Sequence, residues 1–500
     1  MPTRRRFLKT AAATGVINGC GASSLGLRAV SADEAKLDAS SVRFSENIEP
    51  LVRLIEDTPR NKVIEEVAHR IRNGLSYRKL LASVLLAGVR NVQPRPSVGF
   101  KFHAVLVVNS AHLASLASRD EDRWLPLLWA IDNFKGSQAR DVDEGDWTMA
   151  AVDESQVPTA EGAKQMFIEA MNEWDESKAD TAVAGLSRTA GANQVFELFA
   201  RYGIRDFRSI GHKAIFVANS FRTLQCIGWH HAEPVLRSLA YALQNHEGEP
   251  NPANSDLAAD RPWRMNAERA MKIRDHWQGG RVDAKATEEL VKTLRGASAD
   301  EASAAVVEML NANVSPQSIY DSLFLGAGEL LMRQPGIVAL HAVTSTNAFR
   351  YAFNVSANDD TRKMLLLQNA AFLPLFRDAM SNRGDVKEKW ITDLAEAGDS
   401  ASLDSVFQNV GKDSSSAAEH ALGYLNGSGN AEQLLSEARR YIFLKGTDSH
   451  DYKFSSAVLE DFYNVSPAWR NRFLASSVFK MRGQNSRDNG LVERVKNALG

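Results

Sequence analysis

Between Val63 and Ala87 the apolar positions fall at Val63, Val67, Ile71, Leu75, Leu80, Leu81, Val84 and Leu85. That spacing is close to the 3.6-residue repeat of a helix that buries one stripe. Gly74 interrupts the run, and Ser76 offers a capping side chain for a second helix. Ser298-Ala299-Asp300-Glu301 reads as a capping box before Ala302–Leu310. Ser315-Pro316 reads as an N-cap followed by proline at the first helical position. Runs that alternate with period two are scarce. The pattern predicts an all-α, multi-helical protein. Glu247 to Trp263 holds three prolines and no period, and reads as a long loop or linker.

The hydrophobic pattern also repeats along the chain. Shifted by 238–239 residues, His103-Ala104-Val105 meets His341-Ala342-Val343, and Asn109 meets Asn347. Arg123 meets Arg362, Gln194 meets Gln433, and Arg201-Tyr202 meets Arg440-Tyr441. His212 meets His450, and Phe216 meets Phe454. A fainter echo relates His103…Asn109-Ser110 to His212…Asn219-Ser220. The expectation is two duplicated, pseudo-symmetric helical halves around a common core, residues 45–246 and 264–480, joined by a linker over 247–263.

Composition changes this picture little. The 500 residues are 44% hydrophobic and 24% charged, ordinary globular values that exclude a disordered or collagen-like chain. Charge is unevenly placed. Residues 1–32 carry Arg4, Arg5, Arg6, Lys9 and Arg28 and no acid, which leaves 54 basic against 61 acidic side chains elsewhere. That acidic body argues against nucleic-acid binding. No stretch beyond the leader reaches the length of a transmembrane span. The two cysteines, Cys20 and Cys226, form no CxxC site, and only Cys226 lies beyond the leader.

The leader itself is informative. Thr3-Arg4-Arg5-Arg6-Phe7-Leu8-Lys9 fits the twin-arginine consensus, an apolar stretch follows, and Val30-Ser31-Ala32 offers a cleavage site. The reading is export by the twin-arginine translocase to the periplasm. Ile17-Asn18-Gly19-Cys20 is a poor lipobox because of Asn18, so a lipid anchor on Cys20 is the less favoured form.

Candidate chemistry centres on His103, His212, His341 and His450, which occupy matched positions of the repeat. The other seven histidines have no histidine counterpart. Equivalent positions meet near a pseudo-twofold axis, and four imidazoles there form a site suited to Zn, Cu, Fe or Ni. The competing reading is helix-packing histidines bonded to carbonyls. Lys453 follows His450 by three residues and shares its helix face. Buried, its amine loses its proton readily and can capture CO2 as a carbamate, an oxygen ligand. Otherwise it is one more solvated helix lysine.

Three segments resemble the questin oxidase-like proteins. They are Gly211-His212 through Arg222 with Pro234–Leu243, Val338-Ala-Leu-His341-Ala-Val-Thr344 through Arg350, and Asp448-Ser-His450-Asp-Tyr-Lys453. The resemblance runs through short motifs over about residues 60–470. It implies an oxygenase that cleaves anthraquinone-type rings with dioxygen. It also implies non-haem iron (Fe2+) held by His103, His212, His341, His450 and a carboxylated Lys453. Two departures stand out. The family is mostly intracellular, and its helices often carry a second histidine where this chain has Asn219. No NAD(P)H is expected, since exported compartments lack it and no GxGxxG motif opens a helix.

The leading expectation is an exported iron-dependent oxygenase acting on an aromatic or quinone-like small molecule, with O2 as co-substrate. Asn109, Asn219, Asn347, Arg222 and Arg350 are its candidate substrate-binding residues; the alternative for them is helix-to-helix hydrogen bonding. Trp129 and Trp229 are offered for ring stacking, or for core packing. The alternative function is an exported, non-enzymatic helical binding or scaffold protein with structural histidines. A redox-inert zinc site is a third reading.

Overall fold

A computed structural model describes residues 41–94, 101–244, 250–398, 401–427 and 429–500. The leader, with Thr3–Lys9, Cys20 and Val30-Ser31-Ala32, lies outside the described residues.

The described chain is all-helical. Its helices are α1 (Glu49–Asp57), α2 (Arg60–Arg72), α3 (Tyr77–Asn91), α4 (His103–Leu116), α5 (Leu125–Glu144), α6 (Ala160–Glu173), α7 (Glu176–Thr189), α8 (Ala192–Gly203), α9 (His212–Ile227), α10 (Ala232–Gln244) and α11 (Arg261–Ala270). They continue with α12 (Ala284–Gly296), α13 (Ala299–Asn311), α14 (Pro316–Arg333), α15 (Ile337–Val355), α16 (Asp359–Ser381), α17 (Leu403–Asn409), α18 (Ser414–Asn426), α19 (Ala431–Lys445), α20 (Ser449–Asn464), α21 (Arg470–Ser477) and α22 (Gly490–Leu499). No described helix is long and apolar enough to cross a membrane.

The expected start signals operate. Ser76 accepts from the Lys79 amide and opens α3. Ser298 and Glu301 close a capping box on α13, and Ser315 caps α14 ahead of Pro316. Each such side chain satisfies an amide that the first helical turn leaves without a partner. Gly74, at φ +90°, separates α2 from α3. In the predicted linker, the described part from Pro250 to Asp260 carries no helix, and α11 begins at Arg261. This segment is pinned down. Ala259 accepts from the Phe207 amide, and Asp260 takes both ends of the Arg208 guanidinium at 2.9 and 2.6 Å.

Residues 42–500 form one compact unit. Several helices begin 239 residues apart: α2 and α13, α3 and α14, α8 and α19. The first ten helices also pack in an order that the ten from α12 echo. Thus α1 packs on α3 and α12 on α14, α4 on α5 and α15 on α16, α7 on α10 and α18 on α21. One pair of ion pairs is reversed in sign. Arg90 of α3 holds Glu56 of α1 at 2.9 and 2.6 Å, and Arg295 of α12 holds Glu329 of α14 at 2.9 and 2.8 Å.

At the centre, α4 packs on α9 and α20, and α15 packs on α9 and α20. Most residues of these four helices are buried. In α4, 12 of 14 residues are buried, so a polar side chain on it must find its partner inside the protein.

Candidate metal centre

Each of the four central helices delivers one histidine from its N-terminal end. His103 and His212 are the first residues of α4 and α9, His450 is the second of α20, and His341 the fifth of α15. The backbone that leads into α9 is strained. Ile210 takes φ +43° and Gly211 φ +78°, and a β-branched residue in that region is a genuine outlier. Gly211 has no alternative, because a Cβ there would lie 2.0 Å from Ser345 Oγ on α15. The absent side chain lets the start of α9 press against α15 and carries His212 to His341.

The four rings converge. His212 Nε2 lies 3.2 Å from His103 Nε2 and 2.9 Å from His341 Nε2. His103, His341 and His450 each offer a ring nitrogen within 4.8 Å of the others, a triad able to hold a metal ion. Lys453 Nζ stands 2.9 Å from His341 Nε2 and 3.4 Å from His103 Nε2. His103, His212 and His341 are buried, and the His450 side chain is 12% exposed.

Hydrogen bonding sets the direction of the lone pairs. His212 Nδ1 donates to the Ser209 carbonyl and His341 Nδ1 to the Ile337 carbonyl, both at 2.7 Å. A carbonyl only accepts, so the ring proton of each neutral imidazole sits on Nδ1 and its Nε2 carries a bare lone pair. Two such lone pairs face each other at 2.9 Å. They cannot hydrogen-bond to one another, and their repulsion calls for a cation or a donor between or beside them.

Electrostatics disfavour a charge on His212, His341 and His450. Burial, and next the charge of Lys453, hold His212 and His341 well below the usual histidine range. Burial lowers His450 too, opposed by its contact with Asp448. The positive ends of four helices act in the same direction. Burial also brings Lys453 down to about 7, so its amine is readily available without a proton. Lys453 is therefore no solvated lysine.

Four of the five expected substrate-binding residues line one narrow cleft that ends on Lys453: Asn109, Asn219, Arg222 and Asn347. Its inner space, about 10 Å3, is about that of a single water. Their hydrogen bonds run between helices. Asn109 donates to Asn219 Oδ1, Asn219 to the Leu106 carbonyl, and Arg222 to Asn347 Oδ1 at 3.0 Å. Two acids missed by sequence reasoning complete the layer. Glu460 accepts from Arg222 and Asn347, both at 2.8 Å, and buried Asp461 accepts from Asn347 at 2.8 Å. Burial and the neighbouring Glu460 push Asp461 well above the carboxylate range. The only signal for Glu460 was its place 238 residues after Arg222.

Arg350 departs from expectation. It donates to Gln317 Oε1 and lies over the Tyr320 ring at 4.7 Å, because its helix turn faces α14. Trp129 stacks on Tyr452 with centroids 4.0 Å apart, and Trp229 packs near Phe221, so both serve the core.

No protein-family model, no curated protein and no solved structure matches this chain.

Proposed function

We propose that this protein is an exported non-haem iron oxygenase acting on an aromatic or quinone-like small molecule, in the manner of the questin oxidase-like proteins it resembles. The carrying observation is the convergence of four histidines and one lysine from four helices into one buried cluster. The donor set fits a transition metal. Neighbouring nitrogens bound at about 2.1 Å to one ion lie about 3 Å apart, and the closest Nε2 pairs here are 2.9 and 3.2 Å apart. Carbonyl-held Nδ1 protons are the usual outer support of such ligands.

Iron held there would supply the redox chemistry that dioxygen attack on a ring requires. The chain's own residues do the rest. Ser209 and Ile337 fix the imidazole tautomers. Lys453, once deprotonated, takes up CO2 through a new N–C bond and releases a proton, giving an anionic oxygen donor. That anion offsets part of a divalent charge in the core and suits the positive helix ends around it. Asn109, Asn219, Asn347 and Arg222 present polar groups along the cleft and limit water to a narrow path.

The same reading includes two duplicated halves. Its support is the 239-residue spacing of helix starts and the sign-reversed Arg90–Glu56 and Arg295–Glu329 pairs. It also includes twin-arginine export, which cell fractionation of an Arg4→Lys/Arg5→Lys variant checks: precursor should stay in the cytoplasm.

A second reading has its own observation. Lys453 Nζ already stands within hydrogen-bond reach of two imidazoles, which is what a structural lysine–histidine core without metal requires. Metal analysis separates the two. Protein produced with iron supplied should carry iron in stoichiometric amount, and protein that carries no metal at all would leave only the structural core.

A further inference from the structure

Outside the narrow cleft lies a wider groove between α4, α19 and α20, with about 200 Å3 of inner space. The two share Leu113 and Ser456 as lining, so the groove adjoins the cleft that ends on Lys453. Leu113, Phe443 and Leu459 give it apolar walls. At that size it lies just below the ~300–1,000 Å3 of drug-sized ligand sites and suits a smaller molecule.

One cation faces this groove. Arg439 of α19 lines it and is half-buried, yet it forms no hydrogen bond or ion pair with any described residue. The acids nearby are engaged elsewhere. Glu432 accepts from the Tyr463 hydroxyl, and Glu460, which also lines the groove, is held by Arg222 and Asn347. Burial draws the Arg439 guanidinium below its usual range, against the weaker pull of Tyr463 and Glu432, so its charge is poorly compensated. A guanidinium against apolar walls is matched by a planar anion, which takes its forked donors two at a time.

We propose that this groove is the docking site for a flat, apolar organic anion, an aryl carboxylate or phenolate, with its anionic oxygens on Arg439 and its ring against Leu113, Phe443 and Leu459. The proposal deepens the oxygenase reading by naming its substrate class, and it rests on that reading for its catalytic meaning alone.

The test is equilibrium binding to the full chain, with and without iron, of 2-naphthoate and its neutral analogue 2-naphthalenemethanol. Naphthoate should bind roughly tenfold or more tightly than the alcohol, as a charge-assisted contact gives. Arg439→Gln should erase that preference while leaving the alcohol unchanged. Ala114→Phe, which adds bulk to the groove without changing its charge, should weaken both. Equal binding of the two probes to the parent overturns the proposal, as does no binding of either up to about 1 mM. So does an undiminished preference in Arg439→Gln, or two unaffected probes in Ala114→Phe. Metal content in the same preparations keeps the two ideas apart. An iron-free chain with Arg439-dependent binding retains the groove and removes the oxygenase; an iron-loaded chain indifferent to naphthoate does the reverse.

Discussion

Helices α9 and α20 start alike and then diverge. Each opens near a histidine, His212 or His450, that joins the cluster. Three residues on, α9 has Ile215 and α20 has Lys453, and both line the cleft. Seven residues on, Asn219 stands against Ala457. Ten residues on, Arg222 stands against Glu460, and these two residues of opposite charge meet at 2.8 Å. The histidines are common to both helices, whereas every other polar group differs in kind or charge. The shared residues thus define where a cation can sit, and the unshared ones make the surroundings one-sided. Only one wall carries an amine, and the arginine of one helix is answered by the acid of the other.

Loss of a cluster histidine should have the strongest consequence. His103→Ala and His341→Ala occupy matched positions and should have matched effects: loss of nearly all bound metal, with helicity retained. Elemental analysis beside far-UV circular dichroism reads both. If one variant keeps its metal and the other loses it, the two helix pairs are not equivalent contributors.

Next come the sign-reversed ion pairs. Removing one partner of a buried pair costs ~3–5 kcal/mol. Arg90 and Glu56 are 3% and 5% exposed, whereas Arg295 is 19% exposed against 4% for Glu329. Glu56→Ala strands an arginine that still has Glu49 at 2.8 Å, which softens the loss. Arg90→Met should therefore be the costliest of the set, and Arg295→Met should cost less. Denaturant midpoints at constant slope measure this order.

A milder effect is expected from the difference between Lys453 and Ile215. In the metal-free fold Lys453 gives up its proton at about 7, against the usual 10.5. Between those values the unfolded chain binds more protons than the folded one, so stability rises with pH across that window. Below it, both states are protonated and the penalty is complete. Lys453→Ile copies the α9 residue onto α20. It should remove this slope and raise the melting temperature at pH 7, while lowering metal retention.

Much of this was legible in the sequence because it depends on local chemistry. Ser76, Ser298 and Ser315 cap helices through contacts a few residues away, and the 3.6-residue spacing of Val63 through Leu85 needs only one buried face. The four histidines were legible for another reason, since the 238-residue offset marks them without any knowledge of packing. What escaped depends on rotation about helix axes. Arg350 and Arg222 sit in similar apolar runs, but only Arg222 turns toward the cleft; Arg350 faces Tyr320. Glu460 and Asp461 read as ordinary solvent-facing acids until α4, α15 and α9 are packed against them. Cys226, a lone cysteine by count, lies 3.2 Å from His112 Nε2, and His112 Nδ1 lies 3.0 Å from the Tyr77 hydroxyl; no spacing rule joins positions 77, 112 and 226.

The contact of His103 with Lys453 closes a chain separation of 350 residues. At a synthesis rate of roughly 5–20 residues per second, the ribosome needs about 20–70 s to travel between them. For most of that interval the nascent chain has one or two of the four histidines and still lacks Lys453. Whatever the cluster finally holds, it is acquired near the end of translation or after it. The timing of supply then matters as much as affinity.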